Sequence, residues 1–229
     1  WFMLSDSPPE RDLEWTEGGI DGAWRFVQRL WRIADDTVQK LPAVGAAMPK
    51  NLSPEAQELR SLVHRAVAAI TEDIERFAFN KAVARLYELT NGIGDAVKAS
   101  WTKDTGTGKD TGTGEDAWTL REALEVLVRL LNPMMPHLAE ELWHKLGHRD
   151  MLVNTPWPVA DQSLLTRQTV TIAVQINGKL RATLNLPADL PQEETTRAAL
   201  AEPAIARHLG ETTPRKIIVI PNKVVNIVA

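Results

Sequence analysis

The stretch PEAQELRSLVHRAVAAITEDIERF, residues 54–77, has the clearest periodicity in the chain and decides its fold class. Its apolar residues recur every three or four positions, the spacing that places side chains on one face of an α-helix. They are Leu59, Leu62, Val63, Ala66, Val67, Ile70, Ile74 and Phe77. Ser53 followed by Pro54 predicts an N-cap with proline in the first turn. A long amphipathic helix needs other apolar faces against which to pack, so this stretch predicts a helical bundle.

Four neighbouring segments repeat the helical period. We predict helices over residues 19–41, from a break near Asn80 to Ser100, and from Pro136 to Gly147. A further helix contains Leu120 and Leu131 and ends at Asn132. The short connections are typical of an antiparallel bundle. Residues 104–115 read DTGTGKDTGTGE, and we predict a disordered loop there because small and charged residues cannot bury an apolar face. A phosphate-binding loop is disfavoured, since Lys109 is followed by Asp110 and no strand precedes it.

The pattern changes after residues 158–168, which lack periodicity and are predicted to be a linker. Two alternating segments around Asn177-Gly178 then predict a β-hairpin. Matching the inward residues favours a three-residue turn or a bulge. That choice pairs Ile176 with Leu180, Val174 with Ala182 and Ile172 with Leu184. A helix over 193–200 and strands over 216–220 and 224–228 would complete a small α+β domain.

The predicted organisation is a connector at 1–18, the bundle at 19–157, the linker at 158–168 and the α+β domain at 169–229. The chain starts with Trp1, Phe2, Met3 and Leu4, an apolar stub with no obvious partner and no initiator methionine. We interpret this start as a cut edge of a longer protein.

Composition excludes several classes of function. The 229 residues include no cysteine, which rules out disulfides and thiolate chemistry. We find no membrane span and no leader, and we expect a cytoplasmic protein. The net charge is −4, but residues 160–229 hold 8 Lys/Arg against 6 Asp/Glu, whereas residues 1–159 hold 18 against 24. Polyanion contacts are therefore expected mainly in the last seventy residues or so.

The candidate RNA-binding residues are basic side chains in two groups. Lys179, Arg181, Lys216 and Lys223 fall at turns and strand starts of the small domain, and we favour RNA contact for them. Arg25, Arg29 and Arg32 share one helix face, which is either a solvated stripe or a phosphate-facing one.

Other constellations are given structural interpretations. His137, Glu141 and His144 could share a helix face, but their spacing fits no metalloprotease motif, and we expect neither a metal site nor catalytic residues. Trp24, Trp31 and Trp143 are expected in the core. Trp101 and Trp118 flank the glycine-rich repeat, and their role stays open.

Several strings resemble bacterial leucyl-tRNA synthetases over essentially the whole chain. SDSPPERDLEWTEGGIDGAWRFVQRLWR at 5–32 is similar to the segment after that family's catalytic domain. NKAVARLYELTN at 80–91 and NPMMPHLAEELWHKLG at 132–147 resemble helices of its anticodon-binding bundle. PWP at 156–158, VQINGKLRA at 174–182 and KIIVIPNKVVNIV at 216–228 resemble its C-terminal region.

The resemblance implies a non-catalytic, monomeric, tRNA(Leu)-binding fragment. Neither the HIGH-like nor the KMSKS-like signature of the class I catalytic fold occurs here, so the catalytic and editing domains would lie elsewhere in the parent protein. The parent would use ATP and Mg²⁺ to ligate leucine, and the fragment itself would need no cofactor. Its bundle would lie along the inner side of the L-shaped tRNA, and its small domain would lie at the elbow.

Two alternatives remain at this point. The same region of an isoleucyl- or valyl-type synthetase shares the 132–147 motif, although those relatives usually end in a different tail. A free-standing RNA-binding or protein-interaction module is the other alternative.

Overall fold

The computed structural model describes residues 1–102, 114–165, 169–188, 190–210 and 214–228. The chain divides into two compact units, Trp1–Leu165 and Thr166–Ala229. The first unit is helical, and the second contains a four-stranded sheet with helices. The predicted fold class, a helical bundle followed by a small α+β domain, is therefore confirmed. Most of the predicted loop at 104–115 lies outside the described residues.

The helices of the first unit are close to those predicted from periodicity. They are α1 (Phe2–Ser5), α2 (Glu17–Thr37), α3 (Pro54–Glu75), α4 (Phe79–Thr102), α5 (Glu115–Leu131) and α6 (Pro136–Lys145). Three short 3₁₀ segments follow α2 or α6: Val38–Lys40, Leu152–Asn154 and Gln162–Leu164. Within the described ranges, no helix combines the length and the apolar content needed to cross a lipid bilayer.

One hydrophobic core holds helices α2 to α6 together. Its fully inaccessible members include Val63 and Ile70 of α3, Leu86 and Ile93 of α4, and Leu130 of α5. Burying one such side chain stabilises the fold by about 1.5–3 kcal/mol. The apolar face of residues 54–77 therefore has the partners that its pattern required.

The start of α3 confirms the predicted cap. Ser53 is in an extended conformation, and its side chain accepts a hydrogen bond of 3.0 Å from the Ala56 backbone N–H. Pro54 occupies the first turn, where its missing N–H would have no helical partner.

The break between α3 and α4 lies earlier than predicted. The chain reverses at Phe77, whose φ of 56° is in the left-handed region, and the Ala78 N–H donates back to the Asp73 carbonyl at 2.7 Å. Asn80 is instead inside α4. Because the helix has already ended, the side chain of Phe77 leaves the apolar face and is 65% exposed. The assignment of Phe77 to the core face was therefore wrong.

Two of the three tryptophans assigned to the core were also placed wrongly. Trp143 is 5% exposed and belongs to the core, as predicted. Trp24 and Trp31 are 59% and 41% exposed. The buried stripe of α2 instead runs through Phe26, Leu30, Ala34 and Thr37, and so lies on another side of the helix.

The apolar stub at the start of the chain has partners inside the helical unit. Trp1 stacks on Phe26 with ring centroids 4.8 Å apart, and its indole N–H donates to Tyr87 Oη at 3.1 Å. Phe2 is 9% exposed. The expectation that this segment lacks a partner was therefore wrong. Its partners are aromatic residues of α2 and α4, which are distant in sequence and could not be identified from the neighbouring residues.

The second unit is built on a mixed sheet. Its elements are β1 (Thr169–Ile176), β2 (Lys179–Pro187), α7 (Gln192–Ala201), α8 (Pro203–Leu209), β3 (Lys216–Ile220) and β4 (Val224–Val228). The strand order is β2-β1-β4-β3, with β1 and β4 parallel and the other neighbours antiparallel. Val174, Val225 and Ile227 pack with Ala199 of α7 and Ile205 of α8 to form a second core. Strands β3 and β4 confirm the prediction, whereas α8 was not predicted.

The hairpin uses the bulge rather than the three-residue turn. Val174 pairs with Ala182 and Ile172 with Leu184, as predicted, but Ile176 pairs with Lys179. The turn consists of Asn177 and Gly178 at φ values of 51° and 78°, and the register shifts between Val174 and Gln175. The extra residue on β2 is Arg181. Because a bulge reverses the alternation of faces, Leu180 is 59% exposed and not inward as predicted.

Candidate nucleic-acid interface

Three of the four basic residues predicted in the small domain lie at one end of the sheet. Lys179 pairs with Ile176, and the parallel partner of Ile176 is Ile227 of β4. Ile227 pairs in turn with Ile217 of β3, directly beside Lys216. Three strand spacings separate β2 from β3, so the Lys179 and Lys216 backbones are roughly 14 Å apart across the sheet. Arg181 follows within the bulge of β2.

Lys223 lies at the opposite end of the sheet. It immediately precedes Val224, the partner of Ala173, and its carbonyl accepts from the Ala173 N–H at 3.0 Å. The distance along β4 to the level of Ile227 is roughly 13 Å. The structure therefore separates Lys223 from the other three residues.

Sequence reasoning missed a further basic residue at the first end. Arg215 is exposed, and its backbone N–H donates to the Val228 carbonyl at 2.8 Å, which ties the residue before β3 to the end of β4. Its position directly before Lys216 was the available signal. We call the group Lys179, Arg181, Arg215 and Lys216 the basic sheet end.

Backbone hydrogen bonds hold the turn that carries Lys179. The Gly178 N–H donates to Asn226 Oδ1 at 3.0 Å, and the Asn177 N–H donates to the Ile227 carbonyl at 2.9 Å. Both bonds tie the turn to β4. A cation on a fixed turn loses less backbone freedom on binding a phosphate than one on a flexible loop would.

The three arginines of α2 differ in their surroundings. Arg29 is half-buried, and its Nη1 donates to Asn91 Oδ1 of α4. Arg25 and Arg32 are exposed and form no ion pair within 4.0 Å among the described residues. Arg29 is thus fixed in place by the neighbouring helix, whereas Arg25 and Arg32 can reach a ligand.

A partly buried group of charges between α3 and α5 is internally neutralised. Arg60 Nε donates to Glu122 Oε2 at 2.7 Å, and His64 Nε2 lies 3.5 Å from Glu122 Oε1. Burial by itself would raise the pKa of Glu122, but the neighbouring His64 and Arg60 hold it below its usual value. Trp118, whose role was open, lies 5.6 Å from the Arg60 guanidinium and donates its indole N–H to the Ala46 carbonyl at 2.8 Å. These contacts indicate a structural role.

The predicted histidine face on α6 does not assemble a metal-binding group. His144 Nδ1 donates to the His148 carbonyl at 3.0 Å, and its Nε2 lies 3.8 Å from Glu140 Oε1. Across the described ranges, no three His, Asp or Glu side chains are positioned to share a metal ion. Glu140 also accepts a hydrogen bond of 2.9 Å from the Leu152 N–H, which anchors the chain after α6.

The structure is an all-helical unit followed by a small mixed sheet with an exposed basic end. The sequence model of the anticodon-binding domain of tRNA ligase matches residues 56–196. The chain therefore belongs to the family of tRNA ligase anticodon-binding domains.

The similar proteins confirm the resemblance to leucyl-tRNA synthetases. A leucine–tRNA ligase of Paramagnetospirillum magneticum is 51% identical over 99% of this chain and 24% of its own length. That of Rhodospirillum centenum is 50% identical over 99% of this chain and 26% of its own length. The chain thus spans about a quarter of these relatives, and both are leucine ligases rather than the isoleucine or valine enzymes considered as alternatives.

A solved structure has the same fold. The ternary complex of Agrobacterium radiobacter K84 agnB2 LeuRS with tRNA and LeuAMS matches with a TM-score of 0.69 and 26% identity. The match covers 99% of this chain and 27% of that one.

Proposed function

We propose that this chain is the C-terminal, tRNA-binding segment of a leucine–tRNA ligase. The full protein would join leucine to tRNA(Leu) with ATP and Mg²⁺. The observation that carries the proposal is the 51% identity to such a ligase along 99% of the chain. The anticodon-binding family match over residues 56–196 supports it independently.

The chain's own part in that reaction would be to hold the RNA. Cations that contact phosphates fix the position and orientation of a nucleic acid without reading its sequence. The exposed Arg25 and Arg32 and the basic sheet end are suited to such contacts, since each offers donors to phosphate oxygens. Activation of leucine and hydrolysis of mischarged tRNA would belong to the catalytic and editing domains of the same protein. We assign this chain no catalytic step, no metal and no cofactor.

The proposal also covers the cellular location, the oligomeric state and the partners of the chain. A translation enzyme of this kind would work in the cytoplasm, and we expect the chain to be a monomer whose partners are tRNA(Leu) and the remaining domains. Sedimentation of the purified chain at several concentrations tests the monomeric state. A mass that doubles with concentration would contradict it.

The decisive experiment is a titration of labelled tRNA(Leu) with the 229-residue chain, followed by fluorescence anisotropy at several salt concentrations. We expect saturable binding whose affinity falls as salt rises, because phosphate contacts release counterions. A non-cognate tRNA of similar size should bind nearly as well if the contacts are mostly to the backbone. Absence of tRNA binding at low salt would overturn the proposal in favour of a protein-interaction module.

A second assay tests the absence of chemistry. The isolated chain should give neither ATP–pyrophosphate exchange nor leucylation of tRNA(Leu) at any concentration that saturates binding. Activity that co-purifies with the chain, and disappears when the chain is removed, would contradict the assignment.

A further inference from the structure

A groove between α2 and α6 exposes two tryptophans that the core does not use. Its volume is about 510 Å³, within the size range of sites that hold small organic ligands. Trp24 and Trp31 line it from α2, and Leu138 lines it from α6. The two indoles are seven residues apart, so they stand on one side of the helix, roughly 10.5 Å apart along its axis.

The exposure of both indoles needs an explanation. Trp24 is 59% exposed and Trp31 41% exposed, although an indole gains more than most side chains from burial. A single exposed aromatic residue is ordinary, but two that line one groove form a contiguous apolar surface of the kind that marks a binding site.

The polar residues of the groove match one chemical class of ligand. Gln28 lies between the indoles, and its amide can both donate and accept hydrogen bonds at the edge of a base. The carboxylate in the groove, Asp35, is already paired with Lys145 Nζ at 2.6 Å. Arg32 lines the groove without an ion pair to a described residue, and is therefore available to a phosphate.

The two rings offer different surfaces. Lys145 Nζ lies 4.8 Å from the centroid of Trp31 and occupies one approach to that ring. Trp24, the more exposed indole, has Arg25 as its neighbour in sequence. Arg32 lines the same groove, so it is the cation that the phosphates of a nucleotide stacked on Trp24 would approach. A flat aromatic surface with flanking cations is the arrangement by which proteins hold unpaired bases.

We propose that the α2–α6 groove is a stacking subsite for an unpaired nucleobase of the bound RNA. The inference rests on the proposed function, and it adds a specific class of contact to it. A duplex keeps its bases stacked on each other, so the groove would select RNA in which a loop or end nucleotide is free to leave the stack.

The test compares the unsubstituted chain with three groove variants and one control variant in the tRNA(Leu) titration. Trp24→Ala and Trp31→Leu should each raise Kd by about tenfold, in line with the loss of one base–aromatic stack. The salt dependence of binding should stay the same, because no phosphate contact is removed. Trp24→Phe should retain most of the affinity. Trp15→Ala is the matched control, since Trp15 is 69% exposed but lies outside the groove.

A second RNA separates stacking from other effects. A blunt duplex with no unpaired nucleotide should bind the wild type and the Trp24→Ala variant equally. Thermal melting should be nearly unchanged in all variants, because the truncated indoles are exposed.

The possible results distinguish the two proposals. If the wild type binds tRNA and both groove variants bind it equally well, the stacking subsite is refuted while the proposed function stands. If the wild type binds no tRNA, the proposed function fails as well. A groove variant that alters self-association in sedimentation, but leaves RNA affinity unchanged, would assign the groove to a second copy of the chain and refute the subsite.

Discussion

Trp157 donates its indole N–H to Thr71 Oγ1 across 2.8 Å, and so fastens the chain after α6 to the side of α3. A second bond lies nearby, because the Asp161 N–H donates to His64 Nδ1 at 3.0 Å. The predicted linker at 158–168 thus begins with residues tied to the bundle. The boundary between the two compact units, after Leu165, lies within this predicted linker.

Replacing Trp157 tests how firmly this attachment stabilises the helical unit. Trp157→Phe removes the indole donor but keeps an aromatic ring, and we expect a loss of about 1 kcal/mol for the hydrogen bond. Trp157→Ala should cost more, since the side chain is half-buried against the core. Urea unfolding followed by far-UV circular dichroism measures both. Val159→Ala is the control, because Val159 is 86% exposed and should have no effect.

The ion pair between Arg60 and Glu122 predicts a specific loss of stability in acid. Burial opposes ionisation, but the neighbouring His64 and Arg60 together hold the pKa of Glu122 below its usual value in the folded state. The unfolded chain therefore binds a proton at higher pH than the folded chain does. The stabilisation is fully present above the unfolded pKa of roughly 4.3 and disappears as pH falls through the lower folded value.

Glu122→Gln should flatten this part of the stability curve. We expect the wild type to lose stability more steeply than the variant below about pH 4.5, because only the wild type has the carboxylate that must be protonated. Chemical unfolding at pH values from 3 to 7 gives the comparison. Glu58→Gln removes an exposed carboxylate from α3, the helix that carries Arg60, so it should leave the wild-type slope in place. Parallel curves for wild type and Glu122→Gln would refute the assigned pKa shift.

The parts of the fold that depend on repeated spacing could be predicted from sequence. The α3 helix and the strands β3 and β4 follow directly from their apolar periods. Periodicity could not locate the break at Phe77, since a left-handed residue is a property of local backbone geometry and Phe is not a residue typical of that region. The bulge at Arg181 was one of two predicted alternatives, and periodicity could not choose between them, because the bulge and a longer turn give the same pairing of Val174 with Ala182.

The candidate site was less predictable because it depends on distances between elements. Lys179 and Lys216 are far apart in sequence, and only the strand order β2-β1-β4-β3 brings them to one end of the sheet. Lys223 is separated from them because it lies in the turn between β3 and β4, at the other end of both strands. Trp24 and Trp31 lie beside an apolar stripe of α2, so the sequence did not show which side of this helix faces the core. In the structure Phe26 faces the core and contacts Tyr87 of α4, with ring centroids 4.2 Å apart.

The N-cap of α3 offers a test that concerns stability alone. Ser53→Ala removes the acceptor for the Ala56 N–H and also the donor to Asp116 Oδ1 at 3.0 Å. We expect a loss of about 1 kcal/mol, typical of a lost cap. Ser53→Thr keeps the hydroxyl and should retain most of the stability. Thermal melting of the three proteins is the measurement, and equal melting temperatures for Ser53→Ala and wild type would show that the cap is dispensable.

The basic sheet end should carry more of the salt-dependent affinity for tRNA than Lys223 does. Replacing Lys179, Arg181, Arg215 and Lys216 together by Gln removes up to four phosphate contacts, and each contact contributes roughly 0.7–0.9 to the slope of log K against log salt. We therefore expect weaker binding and a slope shallower by as much as about 3.6. Lys223→Gln changes a similar cation at the other end of the sheet and should have a small effect. If Lys223→Gln weakened binding more than the fourfold replacement did, the RNA would instead lie at the turn between β3 and β4. An unchanged slope in both variants would instead assign the phosphate contacts to Arg25 and Arg32 of α2.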